Sequence, residues 1–368
     1  MVKRVTTNGM MMSYRSNLMR SYQKLGHVSE QVTTQRRFNS YAESPAKASQ
    51  AFQLRRNRWN TESQISNSKY VVHKFQQAWN SLESVYQDLG NSMVKYSDLR
   101  GKNDTLGSGR AALGEIIKGA AESMVQTMNA KFGENFIFSG SDGKQVPFEI
   151  ENGKVYYRGT DVDGPTQADM DKLQATLDEH TYVDLGMGMK ENPNDGTLIG
   201  SSAFDTALNG LQFLGHGTGS YTFTNADGTP GKTVTGLPNN LISICNELGR
   251  VWSGCDPDSG AFAADAVPAG SNAADADEYV TALENKLQDA LNGLHENWIS
   301  DDTRSTFLKN NQSRLESLDD ALNEQITTLE DIDPAEAITS LMWAQYSYNA
   351  ALRIGTNLLS QSLIDYMN

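Results

Sequence analysis

Cysteine is almost missing from this chain of 368 residues. The two present, Cys245 and Cys255, exclude a disulfide framework and leave open whether they pair locally. No apolar run approaches the roughly 18 residues needed to cross a membrane. Behind the basic start of "MVKRVTTNGMMMSYRSNLMR", only Met10–Met12 are continuously apolar, so no secretory signal peptide is expected. Either the protein stays in the cytoplasm or it leaves by a route that reads no such signal. The five histidines (27, 73, 180, 216, 295) are scattered without metal-ligand spacing. Aromatic stacking residues are sparse in the basic N-terminal arm, and a net charge of -14 repels phosphate, which argues against a nucleic-acid partner. With 38% apolar residues and a mean hydropathy of -0.52, the chain is water-soluble but lean in core-formers.

Proline and glycine are scarce in the flanks. Residues 136–285 hold 20 of 31 glycines and 7 of 9 prolines, so the middle is turn-rich and the ends are not. Charge is unevenly spread as well. Residues 1–60 carry 11 Lys/Arg against 2 Asp/Glu, and residues 286–368 carry 5 against 13. Opposite signs at the two ends favour bringing them together.

The flanks instead carry heptad-spaced apolar stripes. Ile65, Ser68, Val72, Phe75, Trp79, Leu82, Tyr86, Leu89, Met93 and Tyr96 alternate steps of three and four, the pattern of a helix in a coiled coil or long bundle. Leu308, Asn311, Leu315, Leu318, Leu322, Gln325, Leu329 and Ile332 repeat it, with Asn311 and Gln325 as polar positions that fix register. Asp333-Pro334 then interrupts, because proline lacks a backbone donor. The stripe resumes at Ile338, Leu341, Gln345, Tyr348, Leu352, Gly355, Leu359, Ser362 and Tyr366. A weaker one near the N-terminus uses Met11, Tyr14, Leu18, Tyr22, Leu25 and Val32, and another helix is expected between Gly107 and Lys131. Around Met342, Trp343 and Tyr346 the stripe widens beyond one face. A helix apolar on more than one face touches more than one neighbour, which points to contact between molecules.

The middle reads as β-rich. "FIFSGSDG" (136–143) predicts a short aromatic strand, "VPFEIENGKVYYRG" a hairpin turning at Asn152-Gly153, and "GSYTFTNADGTPGKTVTG" a second hairpin. A short helix is expected near Leu241–Trp252, and a loop over 262–278. Chemistry-bearing motifs are weak. "GHGTGS" (215–220) lacks the Lys-Ser/Thr and helix of a phosphate loop and reads as a turn. "DVDG" (161–164) begins like a calcium loop, but Pro165 stands at the third ligand position and no Glu closes it.

Several segments resemble the bacterial hook–filament junction proteins (hook-associated protein 3) of the flagellin superfamily. "RVTTNGMM" (4–11) looks like that family's opening, and "QVTTQRRFNSYAESPAKAS" (31–49) resembles its conserved turn, with Gln35 where glycine is usual before the basic pair. "ENFIFSGSDGKQVPF" (134–148) resembles the "F-S-G" stretch. "YVDLGMGMKEN" and "SSAFDTALNGLQFLGHG" look like middle-module sequences. "AEAITSLMWAQYSYNAALRIGTNLLSQSLIDYMN" (335–368) resembles the closing helix.

The combined expectation is a mainly α fold, a long antiparallel helical bundle or coiled coil built from both chain ends with an inserted β-rich module. Its parts are expected at 1–135, 136–285 and 286–368. The bundle seam takes Ile65, Val72, Phe75, Trp79, Leu82, Tyr86, Leu89, Met93, Leu308, Leu315, Leu318, Leu322, Leu329 and Ile332. The assembly interface takes Leu18, Tyr22, Leu25, Val32, Leu341, Tyr348, Leu352, Leu359, Leu363 and Tyr366. The resemblance implies an extracellular flagellar adapter ring, exported without a cleaved signal, with no cofactor, no metal and no catalysis. Implied partners are further copies of itself, a hook-associated protein 1-type junction protein, flagellin and an export chaperone. The alternatives are a flagellin-type filament subunit, or a secreted glycan-binding or hydrolytic module over 136–285.

Overall fold

Prolines set where the long helices start. In the computed structural model, α1 (Thr7–Thr34) is followed by α2 (Pro45–Asn103), and α7 (Ala276–Glu330) by α8 (Pro334–Met367). Both α2 and α8 open on the proline itself, at the position whose N–H would have no helical partner anyway. Asp333 caps α8 by accepting from Ala335 N–H at 2.8 Å. The model describes the backbone of residues 7–103, 107–193, 196–199, 202–225, 227–256 and 258–367, and their side chains except at 7–8, 102–103, 107–108, 300–301 and 357–367. The helices outrun their stripes: α2 is 59 residues long and α7 is 55.

The chain packs as two compact units, one of Met1–Ser63 with Arg314–Asn368, the other Gln64–Ser313. The second unit holds α3 (Gly107–Met128), α4 (Gln167–Leu177), α5 (Gly210–Leu214), α6 (Leu241–Ser253) and short strands, all paired antiparallel. The mainly α fold with a β-bearing segment between helical flanks is what the composition indicates.

Both expected hairpins form. β4 (Phe148–Glu151) and β5 (Lys154–Tyr157) turn at Asn152 and Gly153, whose φ of 52° and 77° is the double left-handed geometry that Asn-Gly favours. A third strand, β6 (Thr160–Asp161), extends this sheet. β7 (Tyr182–Val183) pairs with β8 (Phe204–Asp205), and β10 (Thr218–Thr224) with β11 (Pro230–Pro238). "FIFSGSDG" is broken up: β2 (Asn135–Phe136) pairs with β1 (Lys131–Phe132), and β3 (Ser139–Gly140) with β9 (Leu208–Asn209). Ile137 and Phe138 between them are fully buried, and the Phe138 carbonyl accepts from Gly210 N–H at 2.9 Å and Tyr157 Oη at 2.8 Å. Tertiary partners thus replace the ladder a longer strand would need.

The unit's core joins Phe75, Leu82 and Leu89 of α2 to Leu113, Ile117 and Met124 of α3, Trp252 of α6 and Tyr279 of α7. Trp252 Nε1 donates to Tyr96 Oη at 2.7 Å, and the Arg100 and Arg110 guanidinium groups lie 5.8 and 5.6 Å from its ring. Cys245 and Cys255 are both free and buried. Burial raises both thiols, Cys245 to about 12, so both stay protonated at neutral pH.

α3 and α6 approach so closely that a methyl on Gly114 would sit 2.8 Å from Ser253 N and 3.0 Å from the Gly249 carbonyl. Gly119 on the same helix has nothing within 4 Å. Alanine normally favours a helix over glycine by about 1 kcal/mol. Gly119→Ala should therefore raise stability by about that amount, whereas Gly114→Ala should lower it by about 1–3 kcal/mol through overpacking. Urea unfolding of the two variants checks the opposite signs.

Candidate assembly surface

The first unit brings the chain ends together. α1 and α8 run antiparallel, with Tyr14 against Gly355 and the rings of Tyr22 and Tyr348 6.0 Å apart. The less exposed side of α1 runs through Tyr14, Leu18, Ser21, Leu25, Val28 and Val32, and that of α8 through Ala337, Leu341, Ala344, Tyr348, Ala351 and Gly355. Both series keep the four-three spacing. Small residues at 337, 344, 351 and 355 allow close approach, and any side chain at 355 would overlap the Tyr14 ring.

Beyond this pair, polar groups tie the two turns together. Ile332 N–H donates to the Gln35 carbonyl at 3.1 Å, and Arg37 N–H to the Glu330 carbonyl at 2.7 Å. Arg36 and Asp331 form a single antiparallel bridge. The buried Glu330 carboxylate is met by Arg55, and Arg58 reaches Asp319 at 3.1 Å and Glu62 at 3.2 Å. The basic N-terminal and acidic C-terminal flanks therefore meet through named pairs. Gln35 sits at φ 57°, in the left-handed region. That conformation suits glycine, the residue the family resemblance expects there.

The predicted seam residues fall on several environments. Val72, Phe75, Leu82 and Leu89 on α2, and Leu308, Leu315 and Leu322 on α7, are buried. Ile65, Trp79, Met93, Leu329 and Ile332 are half-buried, while Tyr86 and Leu318 are exposed. Trp79 and Tyr86 lie at the margin, with rings 5.3 Å from Trp298 and His295 respectively. Val71, Ala78 and Val85, which the seam passed over, are buried in the same spacing and share Phe75, Leu82 and Leu89 with it. Asn311 donates to the Leu185 carbonyl at 2.9 Å.

Of the predicted interface, Leu18, Leu25, Val32, Leu341 and Tyr348 are half-buried in the α1–α8 pair, and Tyr22 and Leu352 are exposed. The side chains of Leu359, Leu363 and Tyr366 lie outside the described residues. Other large apolar groups of this unit face outward: Met12, Phe52, Trp59, Met342, Trp343 and Tyr346 are 69%, 68%, 67%, 65%, 66% and 70% exposed. The widened stripe around 342–346 signals three of these. Phe52 and Trp59 lie outside the stripes.

The weak motifs resolve into structure. In "GHGTGS", Gly215 (φ 82°) ends α5, and Gly217 (φ 74°) precedes β10. In "DVDG", Asp161 pairs with Lys154 at 2.9 Å, and Pro165 leads into α4, capped by Thr166 accepting from Asp169 N–H. Burial raises the Asp163 carboxyl to about 6, and its Oδ1 is buried without a hydrogen-bond partner among the described residues.

Helices from both chain ends paired in one unit, with the intervening segment forming a second unit of helices and short sheets, is a fold shared with a flagellar hook-associated protein of known structure. A Vibrio parahaemolyticus protein described as flagellar hook-associated aligns at 12% identity over 78% of this chain and 100% of its own, with a TM-score of 0.53. Xanthomonas campestris FlgL aligns at 12% identity over 74% and 98%, TM-score 0.46, and Bacillus cereus FlgL at 15% over 77% and 99%, TM-score 0.31. No protein-family model and no curated protein matches the chain.

Two expected outcomes test this geometry. Gln35→Gly relieves a left-handed side chain and should stabilise by about 1 kcal/mol, read from the thermal midpoint of the full chain. Asp163 binds its proton more tightly folded than unfolded, so its stabilising contribution is complete below about pH 4 and lost as pH rises through about 6. Asp163→Asn should flatten that slope in urea midpoints measured from pH 4 to 7.

Proposed function

We propose that this chain is a non-enzymatic structural subunit of the bacterial flagellum, an adapter ring between a hook-side junction protein and flagellin. Its closest associates are then further copies of itself, with an export chaperone holding the terminal segments before assembly. The exposed apolar groups of the first unit carry this reading. Met12, Phe52, Trp59, Met342, Trp343 and Tyr346 are more than half exposed, and a soluble protein gains nothing from so many large apolar groups in water. Neighbouring copies that covered them would return about 1.5–3 kcal/mol for each side chain. Ordering a residue costs about 1–2 kcal/mol. Terminal helices partly exposed in a lone molecule thus become favourable once neighbours bury the second face, and assembly is confined to a growing end.

The fold likeness to a flagellar hook-associated protein supports the flagellar setting. The interface residues named from sequence, together with these outward apolar groups, form the proposed assembly surface, and the seam residues hold the helices that carry it.

The double variant Trp343→Glu, Tyr346→Glu should fold with unchanged far-ultraviolet circular dichroism yet fail to support filament growth, with flagellin released into the medium. Filaments of normal number and length from cells carrying only this variant would overturn the reading. Reversing Arg55, Arg56 and Arg58 together should weaken incorporation more at low salt than at high salt, because screening already weakens such pairs. Equal loss at both would remove electrostatic pairing from the account.

A further inference from the structure

We propose that the cleft between α2 and the β1–β2 hairpin binds an acidic monosaccharide, its carboxylate on Lys74 and its ring against the aromatic rim. The cleft encloses about 340 Å³, within the range of small-ligand sites. Lys74 from α2 lines it beside Tyr70, with Phe132, Asn135 and Phe136 from the hairpin and Ser141 from the following turn.

The lysine is the reason for an anion. Its Nζ donates to the Thr206 carbonyl at 2.8 Å, which leaves two of an ammonium's three donors. Among the described residues no carboxylate lies within ion-pair distance of it. The acidic group whose field it feels is Asp205, and that carboxylate is already engaged by His180 Nδ1 at 2.7 Å, Thr181 N–H at 3.0 Å and Ala207 N–H at 2.9 Å. Burial accordingly lowers the Lys74 pKa. A half-buried cation without a counter-charge is costly, and an entering anion offsets that cost.

The remaining charges select the kind of anion. Lys144 and Asp142 of the turn offset one another, and Glu179 is held by Arg158 at 2.7 Å and by Ser141 Oγ at 2.7 Å. Lys131 is not part of the lining and rests over the Phe136 ring at 4.5 Å, so the lining itself carries one unmatched positive charge, which suits a single carboxylate better than a doubly charged phosphate. The rim suits a ring. Tyr70, half exposed, meets Phe132 edge-on at 5.2 Å, and Phe136 lies on the other side of the hairpin. Asn135 and Ser141 supply hydrogen-bonding groups for sugar hydroxyls. This site is independent of the assembly surface and makes the second unit a ligand-binding element.

Calorimetric titration of the full chain at pH 7 with D-glucuronate, D-glucose and inorganic phosphate tests the assignment. D-glucuronate should bind saturably, and D-glucose and phosphate at least roughly tenfold more weakly, as loss of one charge-assisted contact implies. Lys74→Met should lower D-glucuronate affinity by roughly tenfold or more. Tyr70→Ala, at the exposed rim, should lower it less while melting as the parent does, and serves as the reporter if Lys74→Met does not fold. The proposal is overturned by no saturable D-glucuronate binding, by equal binding of D-glucose or phosphate, by parent-like affinity in a folded Lys74→Met, or, should that variant not fold, by parent-like affinity in Tyr70→Ala.

Discussion

Everything in the first unit depends on closing one contact between sequence positions almost three hundred residues apart. Glu330 stands at the end of α7 with its carboxylate buried, met by Arg55 of α2, while its carbonyl receives Arg37 N–H. A buried carboxylate without its arginine would be strongly destabilising, so this pair sets which parts of the two ends face one another. From it the α1–α8 register follows: Gln35 with Ile332, Tyr22 with Tyr348, Tyr14 with Gly355. The exposed aromatic face is a by-product of the same register. Once the small residues of α8 are turned toward α1, Met342, Trp343 and Tyr346 have nowhere to point but outward.

Much of this was legible because the signals are local and repetitive. The interrupted heptads give α7 and α8, Pro334 gives their junction, and Asn152-Gly153 gives a hairpin that one dipeptide nearly determines. The charge asymmetry anticipates the Arg55–Glu330 and Arg58–Asp319 pairs without saying which residues pair. The rotation of α2 about its axis was not legible. Two interleaved stripes share Phe75, Leu82 and Leu89. Trp79 and Tyr86 look more core-like than Ala78 and Val85, yet the smaller residues are buried and the aromatics stack at the margin. Size favoured one stripe and fit the other.

Other features have weak or no local signal. α4 reads as polar, and its one cue is Pro165-Thr166 with Asp169 three residues beyond the cap, the start signal of a capping box. The cleft around Lys74 draws on residues near 70, 132–144, 181 and 206, so no window of sequence could display it. The φ of Gln35 is a further case: glutamine conceals a left-handed turn that glycine at the same position would have announced.

The two sealed thiols have a consequence wherever the chain meets an oxidant. Cys245 sits inside α6 and Cys255 just past its end, both shut away where that helix lies on α3. While α6 stays docked, oxidants find neither sulfur. An unfolded chain would present both at once, so docking of one glycine-lined helix also keeps the two sulfurs from cross-linking in the wrong shape.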